Sequence, residues 1–305
     1  MQSIKSFSIC TIITDWYQYR KLNESLLEGG FNETNSEFIY VDNSNGNRMD
    51  AYEAIRHFIK VSNNEYLILT HQDVIFPTAG CDKLNTIIEE ISILDKHWAV
   101  LSNAGKYIHP LIGYTSFSDG ESTWRTNNLP HIVNSVDEHF IVLKKSTGVT
   151  VGRDLDGFHF YGTELCQVAK MLGYSCYVID FLLVHYSHGN IDDSFYQSKN
   201  KIEKKYANLN KTRRIDTMCT SLCVNKGLLN KIMSDLFSYY ILLNSPHHMK
   251  SRKILKSNAR YSLLISRLIL KSCGVDLVFS MRKNYIRIKS DILWWRNNWR
   301  SRVSF

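Results

Sequence analysis

The 305-residue chain has no uninterrupted apolar run of about 18 residues, the length a membrane-spanning helix requires. Its best candidate, Tyr261 to Met281, is broken by Arg267, Lys271 and Asp276. Proline is scarce, with 4 residues, and glycine is modest at 15. That excludes a collagenous, linker-like or low-complexity chain. No Cys-x-x-Cys pair exists. The seven cysteines (Cys10, Cys81, Cys166, Cys176, Cys219, Cys223 and Cys273) are odd in number and scattered. This pattern excludes a disulfide framework and a dithiol redox motif, and agrees with buried thiols in a reducing compartment. In such a compartment the Asn-x-Ser/Thr matches at Asn23, Asn32 and Asn210 carry no meaning. A secretory leader is not expected either. Lys5 is followed by a very short apolar stretch, Phe7 to Ile13, which has no small-residue cleavage site and runs into Asp15. It reads as a buried first strand.

What is present is ordinary for a packed protein: 44% hydrophobic and 22% charged residues. The length suits one large domain or two modest ones. The net charge of +8 conceals a split. From residue 196 onward there are 23 Lys+Arg against 5 Asp+Glu, a balance of +18; residues 1–195 carry 14 against 24, a balance of −10. A basic half interleaved with aromatics points to an anionic surface, either membrane or nucleic acid.

Residues 1–195 alternate strand-like and helix-like signals. Ser8–Ile13, Glu37–Asp42 and Glu65–Thr70 read as strands; Tyr17–Leu27, Ala51–Val61 (capped by Asp50) and Leu84–Leu94 read as helices. This rhythm predicts a mainly parallel, doubly wound α/β sheet, in which ligands gather at the carboxyl ends of the strands. Asp15, Asp42 and Asp73 fall at or just after three such ends. Residues 103–131, polar and rich in Gly, Ser, Asn and Thr, read as a long functional loop. Val136–Lys144 and Tyr177–Val184 read as strands, Thr163–Leu172 and Asp192–Asn208 as helices. The boundary between the two parts is expected near 195–215.

Three groups of residues carry the resemblance to a known family. They are the strand followed by Thr14-Asp15, the Val41-Asp42-Asn43-Ser44 segment, and Glu65-Tyr-Leu-Ile-Leu-Thr-His-Gln-Asp-Val74. Segment 8–76 resembles the nucleotide-sugar half of a GT-A glycosyltransferase of the family 2-like kind. The His71-Gln72-Asp73 triplet resembles a bacterial surface-polysaccharide variant of the usual Asp-x-Asp motif. A second block, Asp156-Gly-Phe-His-Phe-Tyr-Gly-Thr-Glu-Leu-Cys166 with Gly173-Tyr174, Tyr177-Val-Ile-Asp180 and His185, resembles the acceptor half of the same subgroup. The resemblance implies a GT-A catalytic domain over 1–195. It implies a divalent cation, Mn²⁺ or Mg²⁺, held by Asp73 and completed by His185 or His188. It further implies a donor site drawn from Thr11, Thr14, Asp15, Asp42, Asn43, Gln72 and Asp73.

The chemistry is separable from the resemblance. Glycosyl transfer from a nucleoside diphosphate needs a cation to neutralise the departing diphosphate, and hard cations take carboxylate oxygens. The Asp42-Asn43-Ser44-Asn45-Gly46 run also has the composition of an Asx turn, and both roles can coexist. An inverting transfer needs a general base for the acceptor hydroxyl. The family's Glu-Asp pair would fall on Tyr161-Gly162, neither of which takes a proton at neutral pH. Glu164, at a helix start, is the first candidate and His159 the second; Asp156 and the Asp137-Glu138 pair remain alternatives. A retaining transfer needs no such base. Trp124 and Arg125, in the polar stretch, and Asp137 are candidates for contact with the acceptor sugar or the diphosphate, with an interior anchor the competing role for the Trp.

In the basic part, Ile288, Ile292, Trp295 and Trp299 share a helical face flanked by Arg and Lys, the composition of an interfacial membrane helix. The expectation for the whole is a cytoplasmic enzyme, peripheral on the inner membrane face. It would move a sugar from a UDP- or dTDP-sugar to a lipid-linked glycan acceptor. No nucleic-acid motif is present, so nucleic acid is not an expected partner. The competing reading is a non-catalytic nucleotide-sugar-binding or scaffold protein on the same fold.

Overall fold

A computed structural model describes residues 6–107, 113–186, 191–207, 213–218 and 221–224. In chain order its elements are β1 (Phe7–Ile13), α1 (Trp16–Glu28), β2 (Ser36–Asp42), α2 (Ala51–Val61), β3 (Tyr66–Thr70), β4 (Val74–Ile75), α3 (Gly80–Leu94), β5 (Trp98–Ser102), β6 (Ala104–Lys106) and β7 (Gly113–Ser118). There follow β8 (Thr123–Arg125), β9 (His131–Ile132), β10 (Ser135–Val136), β11 (Phe140–Lys144), α4 (Tyr161–Met171), β12 (Ser175–Val178), β13 (Leu183–His185), α5 (Asp193–Tyr206), β14 (Arg213–Asp216) and β15 (Ser221–Val224).

The main sheet runs β2-β1-β3-β11-β5-β12-β9. β1 is parallel to β2 and β3, and β5 is parallel to β12. β11 is antiparallel to both β3 and β5, and β9 is antiparallel to β12. The fold is α/β as expected, but its sheet is mixed. One consequence positions the site. Because β11 runs against β3, its start lies at the same rim as the end of β3, with Phe140 opposite Thr70.

Period-2 alternation splits the strand side chains between two cores. Cys10, Leu67, Leu69, Ile141 and Leu143 pack with α2, α4 and α5, whereas Ile9, Ile68, Phe140 and Val142 pack with α1 and α3. α2 illustrates why a segment folds locally. Asp50 and Glu53 form a reciprocal capping box, and Ala51, Tyr52, Ala54, Ile55 and Phe58 are buried on one face. Each large apolar side chain on that face contributes roughly 1.5–3 kcal/mol by its burial.

Two expectations are corrected. Residues 103–131 are not one long loop: they contain β6, β7, β8 and the start of β9, and the second sheet runs β10-β6-β7-β13-β4 with β8 on β7. Nor does the first unit end at 195. α5, capped by Asp192, straddles that point, and its Phe195, Ile202 and Tyr206 lie in the same core as α2 and α4. Ile215 of β14 and Leu222 of β15 join that core, so the part beyond 195 is not wholly helical. The basic tail with Ile288, Ile292, Trp295 and Trp299 lies outside the described residues, as does His188. Among the described residues, no helix is long and apolar enough to cross a membrane.

Candidate metal and ligand site

β3 ends at Thr70, and His71-Gln72-Asp73 forms the link to β4. β13 pairs antiparallel with β4, His185 opposite Val74, and this register sets His185 beside Asp73. The His185 Nε2 to Asp73 Oδ1 distance is 3.5 Å, with side-chain exposures of 12% and 14%. One ligand atom from each of His71, Asp73 and His185 lies within 4.8 Å of the other two. The sequence reading assigned Asp73 and His185 to a metal and left out His71. Spacing alone gives no signal for it, because Gln72 and Asp73 form a turn and strand alternation does not run through the triplet.

Hydrogen bonding fixes how His71 presents itself. The Tyr161 hydroxyl donates its one proton to the carbonyl of Glu138 at 3.0 Å, and its oxygen lies 3.0 Å from His71 Nε2. Nε2 is therefore the protonated nitrogen, and Nδ1 keeps its lone pair. Burial, with His185 beside it, lowers the His71 pKa to about 4, so the ring is neutral near pH 7. An outer partner that fixes the tautomer in this way is characteristic of metal-ligating histidines.

A second histidine backs the cluster. The His139 ring, 2% exposed, stacks on His185 at 4.7 Å and 12°. Its Nδ1 is 2.7 Å from Asp137 Oδ1, while its Nε2 is buried with no partner among the described residues. Burial opposes charge on Asp137, yet the His139 ring holds its carboxyl well below the usual range. Asp137 thus holds His139 instead of facing a diphosphate, as the sequence reading had suggested.

The donor set fits a divalent ion: one carboxylate and two imidazoles, at least one of them neutral. Two nitrogen donors suit Mn²⁺ and other first-row ions better than Mg²⁺, which prefers oxygen in an octahedral shell.

A cavity of about 300 Å³ adjoins the cluster, at the small end of ligand pockets. His71, Gln72, Asp73, Thr70 and Thr14 line its polar side; Cys10, Ile12, Ile55, Phe58, Leu69 and Phe158 form its apolar wall. Gln72 ties the two loops together. Its Oε1 accepts from Thr14 N at 2.8 Å and Asp15 N at 3.0 Å, and its Nε2 donates to Thr14 Oγ1 at 2.7 Å. The segment carrying Phe158 is pinned to the start of α2: Gly157 N donates to Asp50 Oδ2 at 3.0 Å, and Tyr52 OH to the carbonyl of His159 at 3.0 Å.

Of the expected donor residues, Thr14, Gln72 and Asp73 line this cavity and four do not. Thr11 is buried, and strand alternation turns it away from Cys10 and Ile12. Asp15 Oδ1 caps α1, accepting from Tyr17 N and Gln18 N. Asn43 is buried and spends its amide on Asn47, Met49 and the backbone of Arg48. Asp42 Oδ1 accepts from Ser44 N and Ser44 Oγ, an Asx turn that holds its carboxyl below the ordinary value.

The base candidates are corrected as well. Glu164 is fully buried. Its Oε1 is 2.7 Å from Lys205 Nζ and 3.3 Å from Gly152 N, and its Oε2 accepts from Tyr206 OH at 2.5 Å. A carboxylate so engaged cannot meet an acceptor. His159 Nε2 lies 3.3 Å from Ser194 Oγ, and Asp156 pairs with Lys201. Neither lines the cavity. Arg125 forms a two-pronged ion pair with Asp180, and Trp124 packs on Phe117 at 5.0 Å. Both are engaged within the fold around the β7–β8 hairpin.

No protein-family model matches the chain. A curated protein of Fuscovulum blasticum, "ATP synthase subunits region ORF 6", is 32% identical over 212 residues, covering 67% of this chain and 85% of its own. Three solved structures are similar at the level of fold. GalNAc-T7 with UDP, GalNAc and Mn²⁺ has a TM-score of 0.46 at 8% identity, covering 67% of this chain; this chain spans about half (48%) of that protein. The mannosyltransferase PcManGT of Pyrobaculum calidifontis with GDP-Man and Mn²⁺ has a TM-score of 0.44 at 8% identity, covering 94% of this chain and 81% of its own. A197 from STIV has a TM-score of 0.38 at 15% identity, covering 61% and 86%. Likenesses this distant assign no chemistry to the chain.

Proposed function

Since the chain belongs to the family of the Fuscovulum blasticum ORF 6 protein, whose name states no activity, we propose its function from the site itself: metal-dependent glycosyl transfer from a nucleotide-sugar donor. The observation that carries this reading is the His71–Asp73–His185 cluster at the rim of a roughly 300 Å³ cavity, at the carboxyl end of β3. Its support from the sequence is the resemblance of segment 8–76 to the donor half of GT-A glycosyltransferases.

His71, Asp73 and His185 would hold the cation, which when bound supplies positive charge against the departing diphosphate. The chain's own residues do the rest. Gln72 fixes the β1–α1 loop that borders the diphosphate. The wall of Ile12, Ile55, Phe58, Leu69 and Phe158 excludes water from the buried part of the donor. Asp42 keeps Oδ2 without a partner among the described residues, available to a ribose hydroxyl.

The finer reading is a UDP- or dTDP-sugar donor and a lipid-linked glycan acceptor in bacterial surface-polysaccharide assembly (O-antigen or capsule), at the inner membrane face. The basic tail supports the membrane part: lysine and arginine near an anionic surface contribute on the order of 1 kcal/mol each. Truncation after about Ser280 is expected to move the protein from anionic vesicles to the supernatant in a sedimentation assay. Unchanged vesicle binding would refute the tail's role.

A thermal-shift screen of UDP-, dTDP- and GDP-sugars with Mn²⁺, Mg²⁺ or Zn²⁺ tests the central reading, because a ligand that binds only the native state raises Tm. A cation-dependent rise with at least one nucleotide sugar is expected. No rise with any pair would overturn the proposal. Slow release of nucleoside diphosphate from the stabilising donor separates an enzyme from a non-catalytic binding protein.

A further inference from the structure

We infer that the donor's glycosyl group is a 6-deoxyhexose, seated with its methyl edge against the apolar wall of the cavity. The inference rests on the glycosyl-transfer reading of the site and names a substrate class within it.

The cavity has two chemically different ends. Cys10, Ile55, Phe58 and Leu69 line it and are all buried, so they form its inner end. Thr14 and Phe158 line it too, but both are exposed and stand at its mouth. His71, Gln72 and Asp73 border the side where the cation cluster lies. The sequence builds the inner end from three elements. Cys10 and Leu69 are register partners on the parallel strands β1 and β3. Ile55 and Phe58 are three residues apart on α2 and share its buried face. At about 300 Å³ the space takes one ring with its substituents, not a whole nucleotide sugar. A ring bonded to a diphosphate at the cluster enters it directly.

Hydrogen-bonding capacity divides in the same way. Thr70 Oγ1 donates to the carbonyl of His139 at 3.2 Å, the Tyr161 hydroxyl donates to the carbonyl of Glu138, and Cys10 Sγ donates to the carbonyl of Ser8 at 3.5 Å. These protons are spent within the protein. At the mouth the Thr14 hydroxyl accepts from Gln72 Nε2 at 2.7 Å and keeps its own proton. The second hydrogen on Gln72 Nε2 has no partner among the described residues. A ligand therefore meets donors at the mouth and apolar side chains at the inner end.

This division selects among rings. A hexose carries a hydroxymethyl group at one edge, and against the inner end its hydroxyl loses water without gaining a partner, which costs free energy. A nucleobase has donors and acceptors around its edge and fares worse. A 6-deoxyhexose matches both ends: its methyl group meets the apolar wall, and its ring hydroxyls turn to Thr14, Gln72 and the open mouth. Phe158, 42% exposed, offers its ring to the C–H face of the sugar. Asp42, with its free carboxylate oxygen for a ribose, does not line the cavity, which agrees with a sugar and not the nucleoside in this space.

The test uses isothermal titration of the full chain with Mn²⁺. It compares hexoses with their 6-deoxy counterparts on the same nucleotide: dTDP-glucose with dTDP-6-deoxyglucose, GDP-mannose with GDP-6-deoxymannose, and UDP-galactose with UDP-6-deoxygalactose. On the nucleotide that binds best, the 6-deoxy sugar is expected to bind about tenfold to a hundredfold tighter, the range over which an apolar pocket rejects an added hydroxyl. Phe158→Ala should weaken that sugar nucleotide about tenfold and leave the free nucleoside diphosphate within about twofold, because only the sugar reaches the cavity. The wild-type comparison needs no variant and carries the test by itself if Phe158→Ala folds poorly. Equal or tighter binding of the hydroxylated hexose overturns the inference. So does an equal loss of nucleoside diphosphate affinity in Phe158→Ala, which would seat the nucleoside in the cavity. Both results leave glycosyl transfer standing. No binding of any nucleotide or nucleotide sugar by the wild type overturns the functional reading and this inference with it.

Discussion

Asp73→Asn should abolish the cation-dependent part of nucleotide binding while leaving Tm unchanged. Asp73 supplies the only carboxylate of the His71–Asp73–His185 cluster. An amide of the same shape keeps the packing but removes the negative charge that a divalent ion requires. Its position in the short link between β3 and β4, outside both cores, is why stability should survive. The expected rise in Kd for UDP in the presence of Mn²⁺ is at least about a hundredfold, or roughly 2.7 kcal/mol. Chelation of the wild type should reproduce it. Tyr161→Phe gives a graded contrast: it leaves all three ligands but frees the His71 tautomer, and loss of such an outer partner costs about 10–100-fold in metal affinity. Isothermal titration of UDP with and without Mn²⁺ reads both variants. Undiminished binding by Asp73→Asn would remove the cluster from the donor site.

Where local chemistry decides, the sequence was sufficient. Asp50 with Glu53 three residues on and an apolar face from Ala51 to Phe58 marks α2, and the helix runs over the expected residues 51–61. The first three strands and the strand-end position of Asp73 follow from apolar runs and their punctuation. Strand direction carries no such mark, so the insertion of β11 against β3 could not be read. The strands of the second sheet are short and polar, as in Gly113–Ser118, and present no apolar alternation. They form because partners such as β6, β8 and β13 are near, not because their residues favour it. The pairing of Asp73 with a histidine 112 positions later depends on β4–β13 register, which only the folded sheet defines. The donor-residue errors share a cause. Asp15 and Asn43 are cap and turn formers, and their side chains are engaged by the cap and turn that put them at strand ends. α4 defeated the choice of base for another reason: Tyr161 to Gln167 are all buried, so no polar stripe shows which side faces a ligand.

Glu164→Ala should cost stability, not chemistry. The carboxylate is fully buried and joins three segments: Lys205 and Tyr206 of α5, and Gly152 N in the link before α4. Lys205 also reaches Asp154 at 2.7 Å and is 21% exposed at its side chain. Removing one partner of a buried ion pair typically costs 3–5 kcal/mol, because the remaining charge stays desolvated. Here Asp154 retains part of the compensation for Lys205, so the lower end, about 3 kcal/mol, is expected. Tyr206 OH would lose its acceptor as well, and the link 152–157, held at Gly152 O by Arg56 and at Asp156 by Lys201, would loosen from α5. Glu164→Gln should cost less, since an amide oxygen still accepts from Tyr206. Combining it with Lys205→Met should recover part of the loss by removing the unpaired charge. Urea denaturation gives the stabilities, and turnover measured well below each variant's Tm gives the chemistry. A general base at this position would behave in the opposite way, with normal stability and turnover reduced by about a hundredfold or more. That outcome would return the catalytic role to Glu164.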